Sequence, residues 1–245
     1  MTNPTGPTNK IAFQGQYGAY SDMACRAVHP DMETLPCPSF EDVFASVRDG
    51  VADLAMIPIE NSVAGRVADI HHLLPESGLH IIAEHFQPVN HHLLAPEGET
   101  LETLKIVRSH HQALSQCRNS IRALGLEPII HADTAGAAKE ISEHDLTGVA
   151  AIASELAAEI YGLKILKRGM EDETHNTTRF IIMTREPFDP DPDQGPVMTS
   201  FVFQVRNVPA ALYKAMGGFA TNGVNMTKLE SYMVRGEFTA TQFYA

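Results

Sequence analysis

The chain has 245 residues, 44% of them hydrophobic and 20% charged, with 17 Gly and 15 Pro, which excludes disorder, collagen and coiled coil as whole-chain readings. Lys and Arg number 18 against 30 Asp and Glu, a formal charge of -12. Affinity for nucleic acid and for anionic membranes comes mainly from clustered Lys and Arg, so neither is an expected partner, and an anionic ligand would need a locally positive site.

Cys25, Cys37 and Cys117 are odd in number and form no CxxC pair, so reduced thiols are expected rather than a disulfide framework or zinc ribbon. The opening MTNPTGPTNK lacks the apolar core of a signal peptide, and the longest apolar runs, Leu54 to Ile59 and Val149 to Ala153, are far below the ~20 residues that span a bilayer. A cytoplasmic location is the expectation.

Taken in chain order, the candidate strands are Ile11 to Gln14, Asp53 to Pro58, His80 to Phe86, Val89 to Ala95, Lys105 to Ser109, Pro128 to Ala132, Gly148 to Ala153, Leu163 to Lys167 and Arg179 to Thr184. Between the first two, Phe40, Val43, Phe44 and Val47 recur at helical spacing behind Ser39, a natural N-cap, and before Gly50. Val63, Val67, Ile70 and Leu74 make a second such stripe, and Leu114, Cys117, Ile121 and Leu124 a third. This alternation predicts parallel sheets covered by helices. The stretch 186–196, EPFDPDPDQGP, reads as a semi-rigid linker. Beyond it, Val197 to Arg206, a helical stripe at Leu212, Ala215, Met216, Phe219 and Ala220, then Val224 to Val234 and Glu237 to Tyr244 around Arg235-Gly236, give βαββ. So small a unit leaves a sheet face and an edge under-covered and should pair with something.

In such architecture ligands bind beyond the carboxyl ends of strands, where loops enter helices. Four junctions carry small polar residues: Gly15 to Ser21, Pro58 to Ser62, Ser109 to Gln112 and Asp133 to Gly136. Free N–H groups and a positive dipole end hold carboxylates without many lysines, although Ser62, Ser109 or Thr134 taken singly reads as an N-cap. No GxGxxG or GxxxxGK[ST] occurs, so no nucleotide cofactor is expected. The pairs His71-His72, His91-His92 and His110-His111 place adjacent side chains apart, and without HExxH no metal is expected either. Arg179 follows the acid-rich Glu171 to His175; it can pair with Asp172 or Glu173, or bind a carboxylate bidentately.

These motifs together resemble the prephenate dehydratase family. Its opening G-x-x-G-x-Y-S is Gly15 to Ser21, its P-I-E-N-S is Pro58 to Ser62, its S-H-x-Q-A-L-x-Q-C is Ser109 to Cys117, and its T-R-F is Thr178-Arg179-Phe180, preceded by Asn176. The last segment resembles an ACT regulatory domain: Asn207 to Leu212 stands where that domain has G-A-L, with Ala210 for its glycine, and Leu229-Glu230-Ser231 matches the start of I-E-S-R-P, with Tyr232-Met233 for Arg-Pro. The resemblance implies an α/β fold, with a two-lobed periplasmic-binding-protein-type catalytic domain over 10–185 and the active site in its cleft. A linker over 186–196 and an α+β ferredoxin-like ACT domain over 197–245, incomplete as βαββ, would follow.

The activity so implied is decarboxylating dehydration of prephenate to phenylpyruvate, without a cofactor because aromatisation drives it. Thr178 matches the residue placed at the leaving hydroxyl; its weak acidity makes it a hydrogen-bond donor or relay. Arg179, Phe180, Asn61, Ser62, Ser109, Gln112, Gln116, Ser21 and Thr134 are the expected substrate-binding residues. Gln112 and Gln116 lie one helical turn apart on one face. Glu60 and His175 are candidate proton sources, with a helix N-terminal carboxylate and a loop histidine as their plain alternatives. Asn207, Ala211, Leu212, Asn225, Glu230 and Ser231 are the expected contacts for L-phenylalanine as allosteric effector, in a homodimer or dimer of dimers. Arogenate dehydration, and a silent sensor on the same scaffold, are the alternatives.

Overall fold

The computed structural model describes residues 8–67, 70, 72–144, 146–191, 193, 195–233 and 240–245. The chain divides into two compact units, Met1–Phe188 and Asp189–Ala245, the boundary falling inside the proline-rich stretch 186–196.

The first unit holds two sheets, one per lobe. The first lobe comprises β1 (Lys10–Gln14), α1 (Tyr20–Val28), β2 (Glu33–Cys37), α2 (Phe40–Arg48), β3 (Leu54–Asn61), β4 (Gly65–Arg66), β5 (His80–Pro88) and, much later in the chain, β11 (Thr177–Thr184). Its strand order is β2-β1-β3-β11-β5, with β4 on β3. Strands alternate between two cores: Ile11, Phe13, Met56, Phe180 and Ile182 pack on one face, and Ala12, Ala55, Ile57, Ile181 and Met183 on the other. That is the pattern of a sheet covered on both sides. The helix expected behind Ser39 is α2: the serine hydroxyl accepts from the Asp42 N–H at 3.1 Å, and Val43, Phe44 and Val47 are buried.

The second lobe runs β6 (His92–Ala95), β7 (Ile106–Ser109), α3 (His111–Gln116), α4 (Arg118–Ala123), β8 (Glu127–Ile130), α5 (Thr134–Glu143), β9 (Val149–Ala153), α6 (Glu155–Tyr161) and β10 (Lys164–Lys167), in the order β10-β6-β9-β7-β8. Both sheets are mixed rather than parallel. In the first, β1 runs parallel to β2 and β3 while β11 opposes β3 and β5. In the second, β7 runs parallel to β8 and β9 while β6 opposes β9 and β10. The reason is topological: the chain passes between lobes twice, from β5 to β6 and from β10 to β11, and the strand that follows each passage, β6 or β11, enters against the parallel set.

Two helical expectations need correction. Where Val63, Val67, Ile70 and Leu74 predicted one α-helix, the described residues form the short hairpin of β3 and β4 and a 3-10 turn, Leu74–Glu76. Gly65, at φ +83°, and the Asn61 side chain, which takes up backbone N–H groups, turn the chain back. Ile70 still reaches the core. The third stripe is broken at Cys117 into α3 and α4, yet Leu114, Cys117 and Ile121 all stay buried.

The lobes are clasped at the β1–α1 loop. Ser154 Oγ donates to the Gly18 carbonyl at 2.5 Å and Tyr161 OH to the Tyr17 carbonyl at 2.8 Å. Gly18 sits at φ +85°, and a Cβ there would lie 2.7 Å from Ala157 Cα. The two passages also bond to each other, Val89 N–H to the Asn176 carbonyl at 2.9 Å and Met170 N–H to the His91 carbonyl at 2.8 Å.

The second unit contains β12 (Val202–Gln204), α7 (Ala211–Thr221), β13 (Glu230–Met233) and β14 (Ala240–Tyr244), with the antiparallel order β12-β14-β13. Phe203 stacks on Phe243 at 5.4 Å, and Phe201 and Phe219 meet at 5.5 Å. The expected turn at Arg235-Gly236 lies outside the described residues. Asn207 and Asn225 are exposed in loops, Ala211 and Leu212 open α7, and Glu230, paired with Lys228 at 3.3 Å, and Ser231 open β13. Ala210 stands just before α7 at φ +60°, the left-handed region where glycine is favoured.

Candidate active site

Asn61 is the last residue of β3, and its Oδ1 accepts the backbone N–H groups of Val63 at 3.0 Å and Ala64 at 2.8 Å. Those partners can only donate, so the amide is fixed with its Nδ2 turned toward β11. From there Nδ2 donates to Asn176 Oδ1 at 2.7 Å and to Thr178 Oγ1 at 3.0 Å. Register explains the meeting, since Thr178 lies directly opposite Asn61 in the β3–β11 ladder. With its oxygen accepting from Asn61, the Thr178 hydroxyl has its own proton left to donate, and no acceptor for it is found among the described residues.

The network continues into the other lobe. Asn176 Nδ2 donates to Oε1 of Gln116, the last residue of α3, at 3.0 Å, and the same oxygen lies 2.9 Å from His91 Nε2. His91 Nδ1 is 2.8 Å from the Tyr20 hydroxyl, which is 2.7 Å from the Asn90 carbonyl. Burial raises the Tyr20 pKa well above its ordinary value, helped by Cys117 and Glu171. Burial likewise lowers that of His91, against the opposing pull of its Gln116 hydrogen bond and Glu171. Both groups are thus held neutral near pH 7.

Arg179 pairs with neither Asp172 nor Glu173. Its guanidinium meets Glu60 at 3.1 Å and Glu84 at 2.8 Å. Burial alone would lower its pKa, and the hydrogen bonds and charges of the two carboxylates more than offset this. Glu60, one candidate proton source, is therefore engaged in an ion pair. His175, the other, is exposed and 3.9 Å from Glu173, and its backbone carbonyl accepts from Ser62 Oγ at 2.7 Å. Ser62 also accepts the Thr177 N–H at 2.9 Å, so it fastens the 62–64 turn to the start of β11.

The remaining expected contacts are placed differently from one another. Phe180 is buried in the core with Ile11, Phe13 and Met56. Ser109 is fully buried, its hydroxyl donating to the Ile152 carbonyl. Gln112 is exposed, while Gln116, one turn on, enters the network. Thr134 opens α5, but the Asp133 carboxylate caps that helix by accepting the Gly136 N–H, so its positive end is already met by an anion. Ser21 lies half-buried in the first turn of α1, a helix without a side-chain cap. Pro58 to Asn61 belongs to a strand, so it is not a helix entry.

Sequence reasoning missed Tyr20, His91 and Asn176. Tyr20 and Asn176 stand inside or beside the family motifs, and the sequence offers His91 only as one of a pair of adjacent histidines. Among the described residues no group of three His, Cys, Asp or Glu could hold a metal ion, and no helix is long and apolar enough to cross a membrane.

Comparison with known proteins assigns this arrangement to a family. The family model for prephenate dehydratase matches residues 11–188. A bifunctional N-acyl-homoserine lactone acylase/prephenate dehydratase of Komagataeibacter europaeus is 54% identical over 95% of this chain and 83% of its own. An arogenate dehydratase/prephenate dehydratase of Arabidopsis thaliana is 45% identical over 91% of this chain, which spans only 56% of that protein. The crystal structure of an Arthrobacter aurescens prephenate dehydratase in complex with L-Phe superposes with a TM-score of 0.84 at 29% identity, over 96% of this chain and 78% of that one.

Proposed function

The chain belongs to the prephenate dehydratase family of enzymes, and from that premise we propose that it converts prephenate to phenylpyruvate in the cleft between its two lobes. The observation that carries the reading is the hydrogen bonding of Thr178: its oxygen accepts from Asn61 and its own proton is left to donate. In the reaction the bond from the ring to its carboxylate breaks, releasing carbon dioxide. That electron pair enters the ring as it becomes aromatic, and the hydroxyl on the opposite carbon leaves, taking a proton to become water. A neutral donor fixed at the departing oxygen stabilises the negative charge that develops there. The polar groups of Asn61, Asn176 and Gln116 hold that donor still. Aromatisation supplies the driving force, so no cofactor enters the scheme.

The second unit supports a regulatory role. Its βαββ order resembles an ACT domain, and a relative of the same family is known bound to L-Phe. We place phenylalanine at Asn207, Ala211, Leu212, Asn225, Glu230 and Ser231, in a homodimer or dimer of dimers, in the cytoplasm. Phenylpyruvate formation by wild type, Thr178→Ser and Thr178→Ala, with and without phenylalanine, tests the reading. Turnover retained in part by serine and lost with alanine, and inhibited by phenylalanine in the wild type, is the expected result. Because relatives are named for arogenate and for acyl-homoserine lactones, both are assayed beside prephenate. Preference for either of them, or binding of prephenate without turnover, would overturn it.

A further inference from the structure

We propose that His91 and Tyr20 are positioning residues for Thr178, the imidazole being held as the Nε2–H tautomer so that its proton and that of Asn176 converge on the Gln116 oxygen and the Asn61 amide keeps the orientation that leaves the threonine proton free to donate. The inference deepens the dehydratase reading and rests on it.

The amide orientations follow from the Asn61 end. The N–H groups of Val63 and Ala64 are obligate donors, so the atom of Asn61 that meets them is oxygen. Its nitrogen then donates to Asn176, whose oxygen faces it, so the Asn176 nitrogen donates onward to Gln116. The Gln116 atom there is consequently oxygen, already accepting, and the ring nitrogen 2.9 Å away must bring a proton. That atom is His91 Nε2. In a neutral ring Nδ1 is then bare and accepts from the Tyr20 hydroxyl at 2.8 Å, with the Asn90 carbonyl at 2.7 Å as the competing acceptor. The opposite tautomer would require Gln116, Asn176 and Asn61 each to turn over, ending with the Asn61 nitrogen against two backbone N–H donors. That arrangement sets a donor against two donors and forfeits both hydrogen bonds of the turn, so one tautomer and one orientation of each amide are selected.

The surroundings keep the ring neutral without a charge at its nitrogens. Tyr20 meets it edge-on with centroids 5.5 Å apart, and buried Cys117 follows Gln116 directly. His92 adjoins it in the chain, and the Glu171 carboxylate accepts the backbone N–H of His91 at 2.8 Å. Tyr20 comes from α1 in the first lobe and Gln116 from α3 in the second, so the ring also spans the lobes beside the passage from β5 to β6.

Nitrogen-15 NMR of the full chain tests the tautomer, and kinetics on prephenate test its use. The expected spectrum has His91 Nε2 protonated and Nδ1 bare between pH 6.5 and 8. A protonated Nδ1 with bare Nε2 would overturn the proposal. In His91→Leu and Tyr20→Phe, kcat should fall about tenfold to a hundredfold with KM within about threefold, the size expected when a reacting group is misplaced. His91→Gln, which can still donate to Gln116, should recover part of the loss and serves if the leucine variant fails to fold. In a Thr178→Ser background, which keeps measurable turnover, the combined loss should be smaller than the product of the two single losses; effects that simply multiply would mean His91 acts independently of Thr178 and would sink the proposal. A wild type inactive on prephenate removes the dehydratase reading, and the ring spectrum still decides the tautomer.

Discussion

In the first unit Phe13, Ile57, Met170 and Phe180 are withdrawn from water, whereas among the described residues of the second only Phe243 is buried, and Tyr213 and Met233 are 79% and 53% exposed. The contrast bears on what each unit can hold in place. A strand packed on both faces has its side-chain directions dictated by the core, so the polar residues at its end are aimed as well. In β11, Phe180 and Ile182 are held in one core and Ile181 and Met183 in the other, and this fixes the strand whose first residues carry Thr178 to Asn61. A three-stranded sheet with one helix has no such constraint of its own, which fits a unit whose ordering depends on what covers it.

Variants that break one unit while leaving the other intact make this contrast measurable by hydrogen exchange on the full chain. The largest effect is expected from Phe180→Ala, which should cost about 3–5 kcal/mol and release amides in β1, β3 and β11 while those of the second unit hold. Gly18→Ala comes next. Its new methyl would overlap the backbone of Ala157 at a positive φ, for a loss of roughly 2–4 kcal/mol in the first unit, seen as a lower Tm and faster exchange at the clasp.

Alkaline pH sharpens the same contrast. Burial is the main cause raising the Cys25 and Cys117 thiols above their ordinary value of 9.0. Their folded pKa is above the unfolded one, so their contribution is complete below about pH 9 and is lost as pH rises beyond it. Urea unfolding of the first unit should weaken by up to about 1.4 kcal/mol per pH unit for each thiol, with Cys25→Ala reducing the slope. The second unit, which holds no cysteine, should not show it below about pH 10, above which Tyr244, raised by burial, adds a loss of its own. The smallest change expected is a gain: Ala210→Gly relieves a left-handed alanine and should stabilise the second unit by about 1 kcal/mol.

Much of this could be read from the chain. The α2 stripe, the βαββ order and the Thr178-Arg179-Phe180 motif are local, and local periodicity carried them. β2 was missed because Glu33-Thr34-Leu35-Pro36-Cys37 contains a proline, which an edge strand tolerates and a central one does not. The division of labour within the site was not legible, because it is made by distant pairs. Asn61 meets Thr178 across 117 positions and Tyr20 meets His91 across 71. The motif named Arg179 and Ser109, but only packing revealed that Glu60 and Glu84 occupy the first and the Ile152 carbonyl the second.

The two passages between the lobes carry Asn176 and His91 and are tied to each other. A molecule too bulky for the lobes to close on would have to strain that tie, and with it the bonds that aim the Thr178 hydroxyl. Such a molecule would be held and left unchanged. Discrimination would then show as slower turnover of a bound compound rather than as weaker binding.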